Sequence, residues 1–251
     1  MAELSVAGLS LSFGGLEVLR EVSFDAHAGK LLALIGPNGA GKTSILNCIS
    51  GLYRPQRGAI RFYHAELARR APHAIARAGI ARTFQHGELF QHMSVLENLL
   101  VARHALIETN LIAEALHLPA VRRAEISHRR RVEEILELVE LERYRQRPLG
   151  SLPFGVQKVV GFARALAMEP KALLLDEPSA GLNREEREDL ARYILRIKHR
   201  LGIVMLWVEH DMQMVADLAD RVCVLNYGRV LADGPPDAVL KDPRVVEAYV
   251  G

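Results

Sequence analysis

Cysteine is nearly missing from this chain: Cys48 and Cys223 stand far apart, the only two in 251 residues. Two such thiols make neither a disulfide framework nor a zinc-ligand spacing, and they suit a reducing compartment. Long hydrophobic runs are missing too, with none near the roughly 20 residues that a membrane-spanning helix needs. A role at a membrane would need a partner to bring the chain there. Charge of one sign is also scarce. A net charge of +2 gives no overall field to gather nucleic acid or a lipid surface, and no nucleic acid partner is expected. The start, MAELSVAGLSLSF, has no basic segment before an apolar run, so no signal peptide is expected. Internal repeats and low-complexity segments are absent as well.

What is present is a core-forming composition, 49% hydrophobic and 25% charged, in a length that holds one large α/β domain or two small ones. Leu9, Leu11 and Phe13 alternate, as do Val22, Phe24 and Ala26, which reads as two half-buried strands with a Gly14-Gly15 turn after the first. LLALIG, Leu31 to Gly36, is a continuous apolar run that suits a fully buried parallel strand. A helix should follow from Gly41, burying Ile45, Leu46 and Ile49, with Gly51 as its stop. Ile60 and Phe62 suggest another strand. From Ser94 the character turns helical. SVLE pairs Ser94 with Glu97 as a capping box. Val132, Ile135, Leu136 and Val139 mark a second amphipathic helix ending before Pro148-Leu149-Gly150. Its run HRRRVEE, His128 to Glu134, interleaves charges as a solvent face does. The stretch from about Gln91 to Gly150 reads as a helical insert. Strand and helix then alternate: ALLLD, a helix near Arg184 to His199, GIVMLWV, a helix from Asp211, and RVCVLN. Such repetition argues for a parallel sheet with helices on both faces.

Two motifs carry chemistry. GPNGAGKTS, Gly36 to Ser44, fits G-x-x-x-x-G-K-[ST] between a buried strand and a helix, the context of a phosphate-binding P-loop. Across Gly36, Pro37, Asn38, Gly39, Ala40 and Gly41 the backbone can curl so that its N–H groups surround phosphate oxygens. Lys42 places a cation on the β- and γ-phosphates. The Thr43 hydroxyl can ligate Mg²⁺, and the helix start through Ser44 adds its dipole. The second motif is ALLLDEP. Its buried strand delivers Asp176, whose carboxylate in a P-loop fold reaches the Mg²⁺ shell. On a strand the next side chain points to the other side. Glu177 is thereby placed for the attacking water, as general base or as its orienter.

The order of motifs, P-loop, RTFQ, SLPFGVQKVVGFARAL, LLLDEPSAGLN and VEHDM, resembles the ATP-binding cassette (ABC) ATPases over essentially the whole chain. The resemblance implies a P-loop NTPase, RecA-like α/β core with an antiparallel β subdomain and an α-helical subdomain. It makes residues 1–251 a single cassette domain, with 1–90 and 160–251 as core plus β subdomain and 91–159 as the helical part. RTFQHGELFQHMSVLENLLVARH and the closing RVVEAYVG are similar to the LivG-type ATPase subunit of branched-chain amino-acid importers. The resemblance implies further roles. Gln85 would contact Mg²⁺ or the attacking water, and His210 the γ-phosphate. Ser179 to Asn183 would communicate across a dimer of cassettes. Phe13 would stack on adenine, and Val18 would flank the base.

The family signature L-S-G-G-Q is altered here. ARAL at Ala163 to Leu166 sets the register: Leu152 leads, Pro153 replaces Ser, Phe154 replaces the first Gly, Gly155 remains, and Val156 replaces Gln. The resemblance implies that the loop acts in trans on ATP held by another cassette. Pro153 offers neither hydroxyl nor N–H, which leaves the Gly155 N–H and the positive end of the following helix. The stretch thus reads as a variant clamp.

The expectation is an ATPase that binds ATP and Mg²⁺ on the cytoplasmic side of a membrane. Two permease subunits, a second cassette and an external solute-binding protein would be its partners. An exporter cassette, for lipids for example, shares the core motifs and stands as the alternative.

Overall fold

The computed structural model describes residues 2–83, 89–106 and 119–250. Among these, the strands form two sheets. Strands β1 (Leu4–Phe13) and β2 (Leu16–Ala26) make a hairpin closed by Gly14 and Gly15, both at positive φ, as a tight two-residue turn requires. With β4 (Arg57–Phe62) and β5 (Ala65–Glu66) they form an antiparallel sheet of order β2-β1-β4-β5. The other sheet has the order β10-β9-β3-β8-β7-β6. It comprises β3 (Leu31–Ile35), β6 (Ile80–Arg82), β7 (Ala172–Asp176), β8 (Val204–Val208), β9 (Arg221–Asn226) and β10 (Arg229–Gly234). Only β10 runs antiparallel to its neighbour.

Strands β3, β7 and β8 are buried along their whole length, which is why they read as unbroken apolar runs. Alternate residues feed two cores. Leu31, Ala33, Ile35, Leu175 and Trp207 face helices α3 (Val95–Arg103), α4 (Pro119–Leu138), α5 (Phe154–Leu166), α6 (Arg184–Leu201) and α7 (Met212–Leu218). Leu32, Leu34, Leu174 and Leu206 face the P-loop helix α1 (Lys42–Ile49), α2 (Pro72–Arg77) and the inner side of the antiparallel sheet. Helices therefore do not share both faces equally. On the second face much of the cover is a sheet, because β1, β2 and β4 alternate and can bury one side. Helices α8 (Pro236–Val239) and α9 (Pro243–Val250) close the chain.

The capping box at Ser94 and Glu97 forms as expected and starts α3. α1 ends at Ile49, with Gly51 left-handed just beyond. α4 stops earlier than its apolar pattern suggested, at Leu138 instead of just before Pro148. Glu140 adopts a left-handed φ of 58° there, and the Leu141 N–H closes back on the Leu136 carbonyl at 2.9 Å. Glycine is the usual residue for this stop. Here the Glu140 carboxylate is held by Arg192 and Arg196 of α6 at 3.0 and 2.8 Å. On α4, Val132 is buried while Arg131 pairs with Glu134 at 2.6 Å and Glu169 at 2.9 Å. Two of the three arginines of the basic run, Arg130 and Arg131, are thus paired within the chain.

Candidate nucleotide site

The P-loop crosses from β3 to α1 through backbone that side chains would block. A Cβ on Gly36 (φ +149°) would stand 2.1 Å from the Leu225 carbonyl oxygen, and one on Gly41 (φ +103°) 2.6 Å from the Leu19 side chain. α1 begins at Lys42 with no capping side chain, so its first N–H groups are left for an external acceptor. The Lys42 ammonium donates to the Gly36 and Pro37 carbonyls at 2.7 and 3.0 Å. Burial lowers its pKa, while Glu177 and Asp176 pull it back up. Thr43 is exposed and Ser44 half-buried on the same helix. Pro37, Asn38, Gly39 and Ala40 border a cleft of ≈ 650 Å³ that reaches Arg244 and Glu247 of α9. The Val18 carbonyl lies against Gly41 and Gly228, beside the loop. Phe13 is 47% exposed at the hairpin tip. Its ring meets Tyr53 edge-on, with centroids 5.0 Å apart.

At the end of β7 the chain turns sharply. Asp176 is the last strand residue, and Glu177 has a left-handed φ of 45°. The two carboxylates therefore diverge through a backbone turn, and not through strand alternation as the sequence suggested. Asp176 Oδ2 pairs with the Arg82 guanidinium at 2.7 Å, both side chains nearly buried. Arg82 also donates to Asn47 Oδ1 at 2.6 Å and Ser50 Oγ at 3.2 Å, tying β6, α1 and β7 together. Asp176 Oδ1 is buried and has no hydrogen-bond partner among the described residues. A buried lone carboxylate oxygen beside a phosphate loop fits a divalent cation. Glu177 Oε1 meets His210 Nε2 at 2.9 Å. Two residues far apart in sequence thus form one pair at the ends of β7 and β8.

Pro153 is the N-cap of α5, again with no side-chain cap. Phe154 lies over Gly181, and Gly155 is buried against Glu186, whose carboxyl oxygen a Cβ would meet at 2.1 Å. Glu186 belongs to the capping box that Asn183 makes at the start of α6. The variant signature therefore packs on the Ser179–Asn183 loop of its own chain. Gln85 lies outside the described residues.

Sequence reading missed several residues. Arg82 stands within RTFQ, yet nothing in sequence marks it as the partner of Asp176. Glu209 in VEHDM is 2% exposed. Asn98 is fully buried and pins Phe90 and Ser94 with its amide. Capping by Glu97 hinted at order there, but a buried Asn in a helix looks like any other.

The family model described as ABC transporter matches residues 19–180, and one described as branched-chain amino acid ATP-binding cassette transporter matches 229–251. The chain is 40% identical over 248 residues to the high-affinity branched-chain amino acid transport ATP-binding protein BraF of Pseudomonas aeruginosa, covering 99% of this chain and 97% of that protein. The same figures hold for LivG of Escherichia coli, which carries the same description. The solved ADP conformation of MJ1267, an ATP-binding cassette of an ABC transporter, superposes with a TM-score of 0.87 at 30% identity, over 100% of this chain and 99% of that one. The chain belongs to the ABC transporter family, as one of its ATP-binding cassette ATPases.

Proposed function

We propose that this chain is the ATP-hydrolysing subunit of an importer for branched-chain amino acids or related small polar solutes. The observation that carries the cargo class is the 40% identity, over nearly the whole chain, to BraF and LivG, both described as branched-chain amino acid transport proteins. The C-terminal match at residues 229–251 points the same way, and these relatives favour import over an exporter cassette.

The P-loop N–H groups and the open start of α1 bind the phosphates of ATP. Lys42 exchanges the Gly36 and Pro37 carbonyls for phosphate oxygens. Phe13 offers an exposed face for adenine, with Val18 beside the loop. Asp176 and Thr43, with Gln85, would hold Mg²⁺, which when bound would neutralise charge on the phosphates. Glu177 would orient or deprotonate the attacking water, and His210, which pairs with the Glu177 carboxylate, would contact the terminal phosphate. Pro153, Phe154 and Gly155 present the uncapped start of α5 to ATP on a second cassette. Closure of the two cassettes on ATP and reopening after hydrolysis drives two permease subunits, which receive solute from an external binding protein at the far side of the membrane.

The test is reconstitution. The chain is co-purified with its permease subunits, placed in vesicles, and supplied with binding protein and labelled leucine, an amide and urea. The reading expects ATP-driven uptake of leucine. Uptake of none of the three, or ATP-driven export, overturns it.

A further inference from the structure

Glu209 separates the last residue of β8 from His210, deep in the protein. A buried carboxyl group needs donors, and this one collects them from distant parts of the chain. Ser179 Oγ donates to Oε1. The backbone N–H groups of His210 and Asp211 donate to the same oxygen at 3.2 and 3.4 Å. The indole N–H of Trp207 donates to Oε2 at 3.0 Å. Nearby, the Lys158 ammonium of α5 reaches the carbonyls of Glu177 and Pro178, each at 3.4 Å. Burial lowers the Lys158 pKa, and Glu209 and Glu177 oppose that.

A carboxyl group that only closed the turn after β8 would need the His210 and Asp211 N–H groups and nothing more. Ser179 lies 30 residues earlier, just past the turn that carries Glu177. Glu209 therefore joins the two backbone segments whose side chains meet at the 2.9 Å contact between Glu177 and His210. The structure assigns to Glu209 the part of a positioning residue: it locks the Ser179–Asn183 loop to the His210 backbone, and so holds Glu177 and His210 in register. This rests on the reading of Glu177 and His210 as the hydrolytic pair. The loop also touches the signature stretch through Phe154 and Gly181. One carboxyl group thus sits between the hydrolytic pair and the surface proposed to meet a second cassette.

Ser179→Ala removes one hydroxyl and leaves the carboxyl group with its other donors. E209Q turns an amide donor toward a donor, Ser179 or Trp207. Both are measured alongside E177Q, with ATP binding, KM and kcat in the full transporter complex and the emission of Trp207 on the full chain alone. Trp207 is the only tryptophan of the chain, and its indole bond to Glu209 makes it the reporter. Misplaced reacting groups typically cost about 10²-fold in rate. Ser179→Ala and E209Q should each lower kcat on that order, with ATP affinity and KM unchanged. The double variant should be no slower than the slower single, and Trp207 emission should shift in both. Turnover at the wild-type rate in Ser179→Ala, or losses that multiply in the double variant, overturns the assignment. If E209Q fails to fold, Ser179→Ala decides alone by the same rate criterion. If E177Q keeps turning over, the hydrolytic pair itself is wrong. If E177Q stops and Ser179→Ala runs at full rate, only the role of Glu209 falls.

Discussion

Asp176 and Glu177 are neighbours with different surroundings because the strand ends between them. Asp176 stays in the buried end of β7, tied by one oxygen to Arg82 and bare at the other. Glu177, on left-handed backbone, swings to His210. Removing one partner of a buried ion pair leaves an uncompensated charge and typically costs about 3–5 kcal/mol. Arg82→Ala should therefore lower the stability of the nucleotide-free chain by about that amount in urea unfolding. A loss within the few tenths expected of a surface change would show that the pair contributes nothing. Lys42→Ala acts differently. It removes the cation proposed to face the phosphates, so it should weaken ATP binding in equilibrium titration while unfolding stays close to wild type.

Element ends carry much of the design. Asn183 and Glu186 cap α6 reciprocally at 3.0 Å each, and the same Glu186 fills the space over Gly155. Asn183→Ala should cost about 1 kcal/mol in denaturant unfolding; no shift in midpoint would mean that α6 needs no cap. Asp220 fastens the start of β3 to the end of α6. It accepts from the Leu31 N–H at 2.8 Å and from Lys198 at 2.7 Å. Burial pushes its carboxyl pKa up, but these partners outweigh burial and the net shift is downward. The folded pKa lies below the unfolded one, so the stability Asp220 contributes is complete above about pH 4 and is lost as pH falls through the lower folded value. Asp220→Asn should flatten that acid slope, read as the urea midpoint against pH; an unchanged slope would remove Asp220 from the acid response.

These elements also show how far sequence goes. The P-loop and the capping box at Ser94 are short motifs, and the strand and helix that flank the P-loop are apolar patterns, so all of them can be read locally. The end of α4 is not legible in sequence because no glycine announces the stop: Glu140 takes the left-handed position, and its carboxylate meets two arginines that arrive from α6. Arg82 and Glu209 were invisible for a related reason. Each is a charged residue of ordinary type whose meaning comes from a buried partner across the fold, and no spacing rule reports that.

At the scale of the molecule, the chain carries a P-loop and, separate from it, an uncapped helix start at Pro153, which is proposed to serve a nucleotide on another chain. The isolated chain should bind Mg·ATP and hydrolyse it slowly, with turnover rising on assembly; full turnover by the monomer at high dilution would contradict the shared site. The two cores lend a separate test. Cys48 and Cys223 are fully buried, and burial pushes each thiol pKa up to about 12. Thiol reagents should leave the folded chain unlabelled and label both residues only as it unfolds. Rapid labelling without loss of structure would show that the cores open. Glu177, paired with His210, is proposed to handle the water that cleaves ATP. The direct measurement is E177Q in the assembled transporter, with ATP binding and steady-state hydrolysis followed together. Loss of a water-positioning base typically costs about 10²–10⁴-fold: the account predicts retained ATP binding with hydrolysis lowered by that factor, and hydrolysis near the wild-type rate would contradict it.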